Sequence, residues 1–217
     1  MKRTVLLVCG ILAAVLYVGT DVLAAMRYEG YRYTAQAVSE LFAIEAPTRG
    51  FVVPLFLAHG ALQIAFGIGV WMSAGRARGR RITASMLIGV GVLDLVAYFF
   101  PMHMRGAEVT LTDTMHIALA SVTVLLILLA IGFGAATSGK GFRLYSYGTM
   151  AALVGGGTLA GLDGARVAAD LPTPWLGITE RIAIYGYMLW MAVLAITLLR
   201  GRKAAAWADA GARSHAA

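Results

Sequence analysis

The sequence predicts an all-α integral membrane protein with six transmembrane helices, both termini cytoplasmic, and one short interfacial helix between helices 1 and 2. Three observations predict it. First, the 217 residues are 59% hydrophobic and only 13% charged, where a soluble domain carries about 25% charge. Mean hydropathy is +0.76. Second, six apolar segments of spanning length stand at 4–25, 51–74, 82–101, 113–136, 143–163 and 178–199, each near the ~20 residues that cross a bilayer. Third, twelve of the 18 basic residues fall at the termini and in alternate connections between these segments, the bias the positive-inside rule describes.

Taken in order, the first segment follows Lys2 and Arg3. That start resembles a signal peptide, with "DVLAAM" as a cleavage region, but the run is long and carries Asp21 near its end, which favours a retained helix. The insert 26–50 follows. Thr34 to Phe42 has helical character with Val38, Leu41 and Phe42 apolar, Pro47 stops it, and Tyr28, Tyr31 and Tyr33 suit a membrane interface. Spans 2 and 3 form a hairpin around "GRARGRR", and a second short connection joins spans 4 and 5. Span 5 contains "LVGGGTLAGLDG", whose Gly157 and Gly161, and Gly156 and Ala160, offer small faces for helix packing. It lacks the strand–turn–helix setting of a nucleotide-binding loop. Residues 1–200 form one domain, and the Ala-rich tail 201–217 is expected to be disordered.

The charges set the orientation. Lys2, Arg3, Arg76, Arg78, Arg80, Arg81, Lys140, Arg143, Arg200, Arg202, Lys203 and Arg213 all lie on one side, the cytoplasmic one. The net charge of +7 is thus explained by topology and by anionic lipid heads, and no nucleic-acid module is present. Ten acids from Asp21 to Glu180 and three of the four histidines fall in the outer half, leaving Asp209 as the cytoplasmic acid. One cysteine, Cys9, excludes an internal disulfide and a cysteine zinc site. The expected location is a plasma or inner membrane, with membrane lipids as partners.

Buried polar groups mark the candidate site. His59 lies about 12 Å along span 2, and Asp94 about 10 Å below the end of span 3, at 1.5 Å per residue. Equal depth makes them partners, with Gln63 one turn deeper than His59. Asp113 and His116 share one face at the start of span 4. Asp113 also suits a helix cap with Thr110, whereas His116 does not, and His103 is expected to be exposed in the loop. Glu180 and Arg181 open span 6, with Tyr185 one turn inward. Arg181 opposes the helix dipole and needs a carboxylate partner or an anionic ligand, and Asp21 near the outer end of span 1 is a partner for Arg181 or Arg166. Asp163, Arg166 and Asp170 read as an ion-pair ladder at the rim.

"SELFAIEAPTRG" before span 2, "FPMH" closing span 3, "DTMH" opening span 4 and "GITERIAIYGYMLW" in span 6 resemble the domain-of-unknown-function 998 family of multi-pass membrane proteins. The resemblance covers roughly 5–200. It implies six membrane helices and no established activity, and it draws attention to Ser39, Glu40, Asp113, His116, Arg181 and Trp190. Family members often place an acid after "FP", where this chain has Met102 and His103.

Three functions compete. The first is an outward-facing polar cavity that binds or moves a lipid headgroup or small polar solute, lined by His59, Asp94, Asp113, His116, Glu180, Arg181, Tyr185 and Glu40. The second is a metal-dependent hydrolase of a lipid ester or amide, with His59, His116 and Asp94 or Asp113 holding zinc. Bis-histidine haem ligation by His59 and His116 is a weaker variant, with no further support. The third is a structural membrane protein without a small-molecule site. Oligomeric state, substrate and catalytic residues are not encoded in any readable pattern.

Overall fold

The structure is a computed structural model. It describes residues 1–201 in full and carries the last helix to Ser214; of the tail 201–217 expected to be disordered, 202–217 lie outside the fully described residues. The described residues are all-α. Six long helices, α1 (Lys2–Arg27), α2 (Arg49–Ser73), α3 (Arg78–Ala97), α4 (Leu111–Ala136), α5 (Lys140–Leu162) and α7 (Leu176–Ser214), are joined by a 3₁₀ turn at Val38–Leu41 and a short α6 (Gly164–Ala168). Four of them, α1, α2, α4 and α7, are long and apolar enough by themselves to cross a membrane. α3 is not, because Arg78, Arg80, Arg81 and Asp94 crowd its 20 residues, and α5 is diluted by glycine and its polar first half.

The long helices form a ring in chain order. Each packs on the next, α5 packs on α7, and α7 closes on α1. The ring is filled by Leu7, Phe66, Leu87, Ile131, Trp190 and Met191, all fully buried. Trp190, marked by the family resemblance, is a core anchor whose indole N–H donates to Ser146 Oγ at 2.9 Å. Large apolar side chains such as Val15, Ile117, Leu144 and Leu159 stay exposed on the outside, as a lipid-facing belt requires.

Glycine sets the closest helix approaches. A Cβ on Gly91 would stand 2.9 Å from the Gly60 carbonyl, so α2 and α3 touch backbone to backbone beside His59 and Asp94. In α5 it is Gly156 that packs under α7, against the Thr179 carbonyl, while Gly157 and Gly161 have open space around them. The small face expected at Gly157 and Gly161 is therefore not a packing face among the described residues.

The segment between α1 and α2 differs from expectation. Only Val38–Leu41 is helical, as a 3₁₀ turn, and Val38, Glu40 and Leu41 are buried rather than lying on an interface. Here tertiary contacts overrule local amphipathicity: the turn folds into the bundle's mouth over a second small core with Ala24, Val52 and Phe56.

Candidate functional site

The two ends of the ring are chemically opposite. At one end three connections, 28–48, 98–110 and 163–175, fold together as a cap. Ile44 N–H donates to Met102 O at 2.8 Å, Gly106 N–H to Val167 O at 3.2 Å, and Ile178 N–H to Thr34 O at 3.2 Å. Gly106 has φ +76°, and a Cβ there would stand 2.9 Å from Asp170 Cβ; glycine permits both the turn and the contact.

Two guanidinium clamps hold the cap. Arg181 on α7 grips Asp21 on α1 with both edges of its fork, at 2.9 Å from Nε and 2.8 Å from Nη2. Its other donors reach Tyr33 O at 2.8 Å, Gln36 O at 3.1 Å, Gly177 O at 3.2 Å and Tyr31 Oη at 2.8 Å. The five N–H groups of a guanidinium are thereby all engaged. Tyr33 stacks on the group at 3.8 Å, and its hydroxyl meets that of Tyr185 at 2.6 Å. Tyr185 in turn donates to Asp21. Burial pushes the Tyr31 phenol well above its ordinary range, despite the adjacent Arg181. Its proton therefore stays available for the Ala37 carbonyl at 2.8 Å.

The second clamp is Arg105 on Glu40, at 2.7 and 2.9 Å. Glu40 is fully buried and also accepts from Gln36 Nε2 and the Ala37 N–H, each at 2.9 Å. Burial alone would raise the Glu40 pKa; the donors from Arg105, Gln36 and Ala37 outweigh it and hold the carboxyl below its ordinary range. The same ion pair holds Arg105 charged, its pKa raised by Glu40. Thr173, which donates to Ala35 O at 2.8 Å, lies 3.4 Å from Arg105, so one cluster ties all three connections. Nearby, Glu180 accepts the Val38 N–H at 2.7 Å.

Asp113 makes the expected cap with Thr110, accepting its N–H at 2.9 Å and its hydroxyl at 2.8 Å. It also accepts from His103 twice, from the backbone at 2.7 Å and from Nδ1 at 2.9 Å. His103 is therefore a partly buried partner of Asp113, not a solvent-exposed loop residue; the carboxylate's free lone pairs draw it in.

Below the cap lies a polar interior. Phe42 descends from the cap to touch Phe56, Tyr98 and His116. His116 contacts the Phe100 carbonyl through Nδ1 at 3.1 Å. Deeper, His59 Nε2 stands 3.6 Å from Asp94, the pairing expected from depth, while its Nδ1 meets Ala13 O of α1 at 3.0 Å. One turn further, Gln63 is 0% exposed, and among the described residues neither its amide oxygen nor its nitrogen has a partner. Thr20 and Tyr187 hydroxyls are likewise buried and unpartnered. Asp94 retains 24% side-chain exposure.

The structure thus divides the predicted site residues. Glu40, Asp113, Glu180, Arg181 and Tyr185 belong to the cap; His59, Asp94 and His116 belong to the interior. Asp21 pairs with Arg181 rather than with Arg166, which lies 3.7 Å from Asp163 at the rim. Among the described residues no three His, Cys, Asp or Glu side chains gather into a metal-binding group. The cap's Arg105, Gln36 and Thr173 are not among the sequence-predicted site residues, although Arg105 carries a signal: it is a basic residue in the 98–110 connection, away from the basic-rich end of the ring.

Residues 11–197 match a family model described as a protein of unknown function, DUF998. The chain belongs to this family. The match runs from the first helix to the last, so the cap, the interior and the ring all lie within the family's span. No curated protein and no solved structure matches the chain.

Proposed function

We propose that this DUF998 protein spans the membrane six times with its cap outward and both termini cytoplasmic, and binds a lipid headgroup or small polar solute in the interior around Gln63, His59 and Asp94. The observation that carries this reading is Gln63. A buried amide without partners costs about 1–3 kcal/mol, and a side chain on α2 could shed that cost by being leucine. A ligand that accepts from its nitrogen and donates to its oxygen removes the cost instead.

Entry is sideways, from the bilayer. Phe42 fills the mouth beneath the cap. By contrast, no residue of α4 from Thr114 to Leu126 is buried, whereas Ile127, Ala130, Ile131, Gly134 and Ala135 are. α5 buries only Leu153 and Gly156 in its second half, and Gly156 faces α7. The cap halves of α4 and α5 therefore leave a lipid-facing seam in the ring, and the partial exposure of Asp94 fits access along it.

The test is native mass spectrometry of protein released from lipid nanodiscs, with Gln63→Leu beside the wild type. The wild type should retain a polar small molecule or lipid that Gln63→Leu loses while remaining folded. An identical set of retained molecules on both proteins would sink the reading.

A further inference from the structure

The basic end of the ring holds a cavity of about 460 Å³, bounded by the start of α1, the α2–α3 and α4–α5 turns and the last membrane turns of α7. At ~30 Å³ per water molecule that is room for roughly fifteen waters, enough for a phosphodiester headgroup. Arg3 and Arg80 stand in its wall, both half-buried. Arg3 Nη1 reaches Met72 O at 3.5 Å and Arg80 Nη1 reaches Ser73 O at 3.2 Å. Neither guanidinium meets a carboxylate among the described residues. Among the described residues each keeps most of its five donors unanswered, in a partly desolvated place where a lone cation is costly.

A third donor set faces the same space. α5 begins at Lys140, and Gly139 before it caps the helix with no side-chain hydrogen bond. A Cβ on Gly139 would meet nothing within 4 Å. The first N–H groups of α5 are thus open, at the positive end of its dipole. The wall hydroxyls add little, because Ser73, Thr83 and Ser138 donate to carbonyls of their own helices.

We propose that Arg3 and Arg80, with the open start of α5, clamp a phosphate group in this cavity. The phosphate is that of an anionic lipid headgroup or of free inorganic phosphate; the two share the recognition chemistry of guanidinium forks and N–H donors. The site is separate from the Gln63 interior and stands whether or not that interior binds anything.

The experiment places the full chain in phosphatidylcholine nanodiscs and follows tryptophan fluorescence, since Trp190 lies 6.0 Å from Phe142 in the cavity wall. Phosphatidic acid is introduced in one arm and inorganic phosphate in the other. The wild type should respond to one of them, and the responding arm names the source. The Arg3→Gln/Arg80→Gln variant should bind about tenfold more weakly or worse, the loss of at least one charge-assisted hydrogen bond. The Arg76→Gln/Arg200→Gln variant, altered outside the cavity, should bind as the wild type does. Gly139→Asp supplies a control against misfolding: it gives α5 a good N-cap, so the protein should fold at least as well, yet its carboxylate should repel the ligand. No response in either arm overturns the proposal. So does an equal loss in the Arg76→Gln/Arg200→Gln variant, which would mean only a basic surface, or undiminished binding by Gly139→Asp.

Discussion

At the capped end two guanidinium groups are fully answered, Arg181 by a carboxylate, a phenol and three carbonyls, Arg105 by Glu40 and Thr173, while the half-buried Arg49 donates to the Phe42 carbonyl. At the basic end Arg3 and Arg80 are each answered, among the described residues, by one backbone oxygen. The same side chain serves two purposes in one molecule. Where its donors are exhausted it fixes geometry, because taking away a partner strands a buried charge. Where they are spare it can recognise something that comes and goes. Candidate site residues in a membrane bundle are therefore sorted by unanswered donors and acceptors, not by charge alone.

The sharpest way to break the contrast is at Asp21. Asp21→Asn leaves Arg181 buried with its main partner neutral and should destabilise the folded protein by about 3–5 kcal/mol, read as a large fall in thermal unfolding temperature in mild detergent. Arg181→Lys should rescue little, since an ammonium cannot span Asp21, Tyr31 and the carbonyls at once; near-normal stability of that variant would show the fork geometry to be dispensable.

Next in size is Glu40→Gln, expected to cost about 2 kcal/mol by weakening the hydrogen bonds from Arg105 and Ala37. Glu40 also predicts a pH dependence. Its pKa is lower folded than unfolded, so it stabilises the cap fully above the ordinary glutamate range. That contribution is lost as pH falls from about 4 down through the lowered folded value. Unfolding temperature measured against pH should drop more steeply in this range for the wild type than for Glu40→Gln, and parallel curves would remove Glu40 from the account.

Gln63→Leu should move stability the other way, upward by about 1 kcal/mol, since it removes an unpartnered buried amide. A marked loss of stability would show that Gln63 has a partner within the folded chain. Smallest of all, Arg3→Gln and Arg80→Gln should change stability by no more than about 0.5 kcal/mol, the usual range for substitutions that break no buried network. A large effect there would erase the difference between the two ends.

How far these features were legible follows from their range in sequence. The six long helices, the His59–Asp94 pair and the Thr110–Asp113 cap follow from hydropathy, rise per residue and local spacing. Arg181's need for a carboxylate follows from its place at a helix start. The Glu40–Arg105–Thr173 cluster does not, because it joins three connections whose meeting is decided only when the ring closes. The 3₁₀ turn was masked for the same reason: Val38, Leu41 and Phe42 read as a surface stripe, yet the ring's mouth buries two of them and uses Phe42 as a plug. α3 and α5 read as ordinary spans because their apolar runs are long enough. By length and composition, however, four of the six helices, not including α3 and α5, are apolar enough to cross a membrane.

The ring closes last helix to first, and that has a consequence in time. Asp21 and Arg181 are 160 residues apart. At a ribosome's pace of about 5–20 residues per second, α1 waits roughly ten to thirty seconds for its counter-charge. Through that interval Asp21, about 9 Å inside the end of its helix, is a carboxylate without its partner on an apolar helix long enough to cross a membrane. The nascent chain must therefore shelter α1 beside water or the insertion machinery until α7 emerges. A chain cut short before α7 would carry an exposed defect by which a quality-control protease could recognise it.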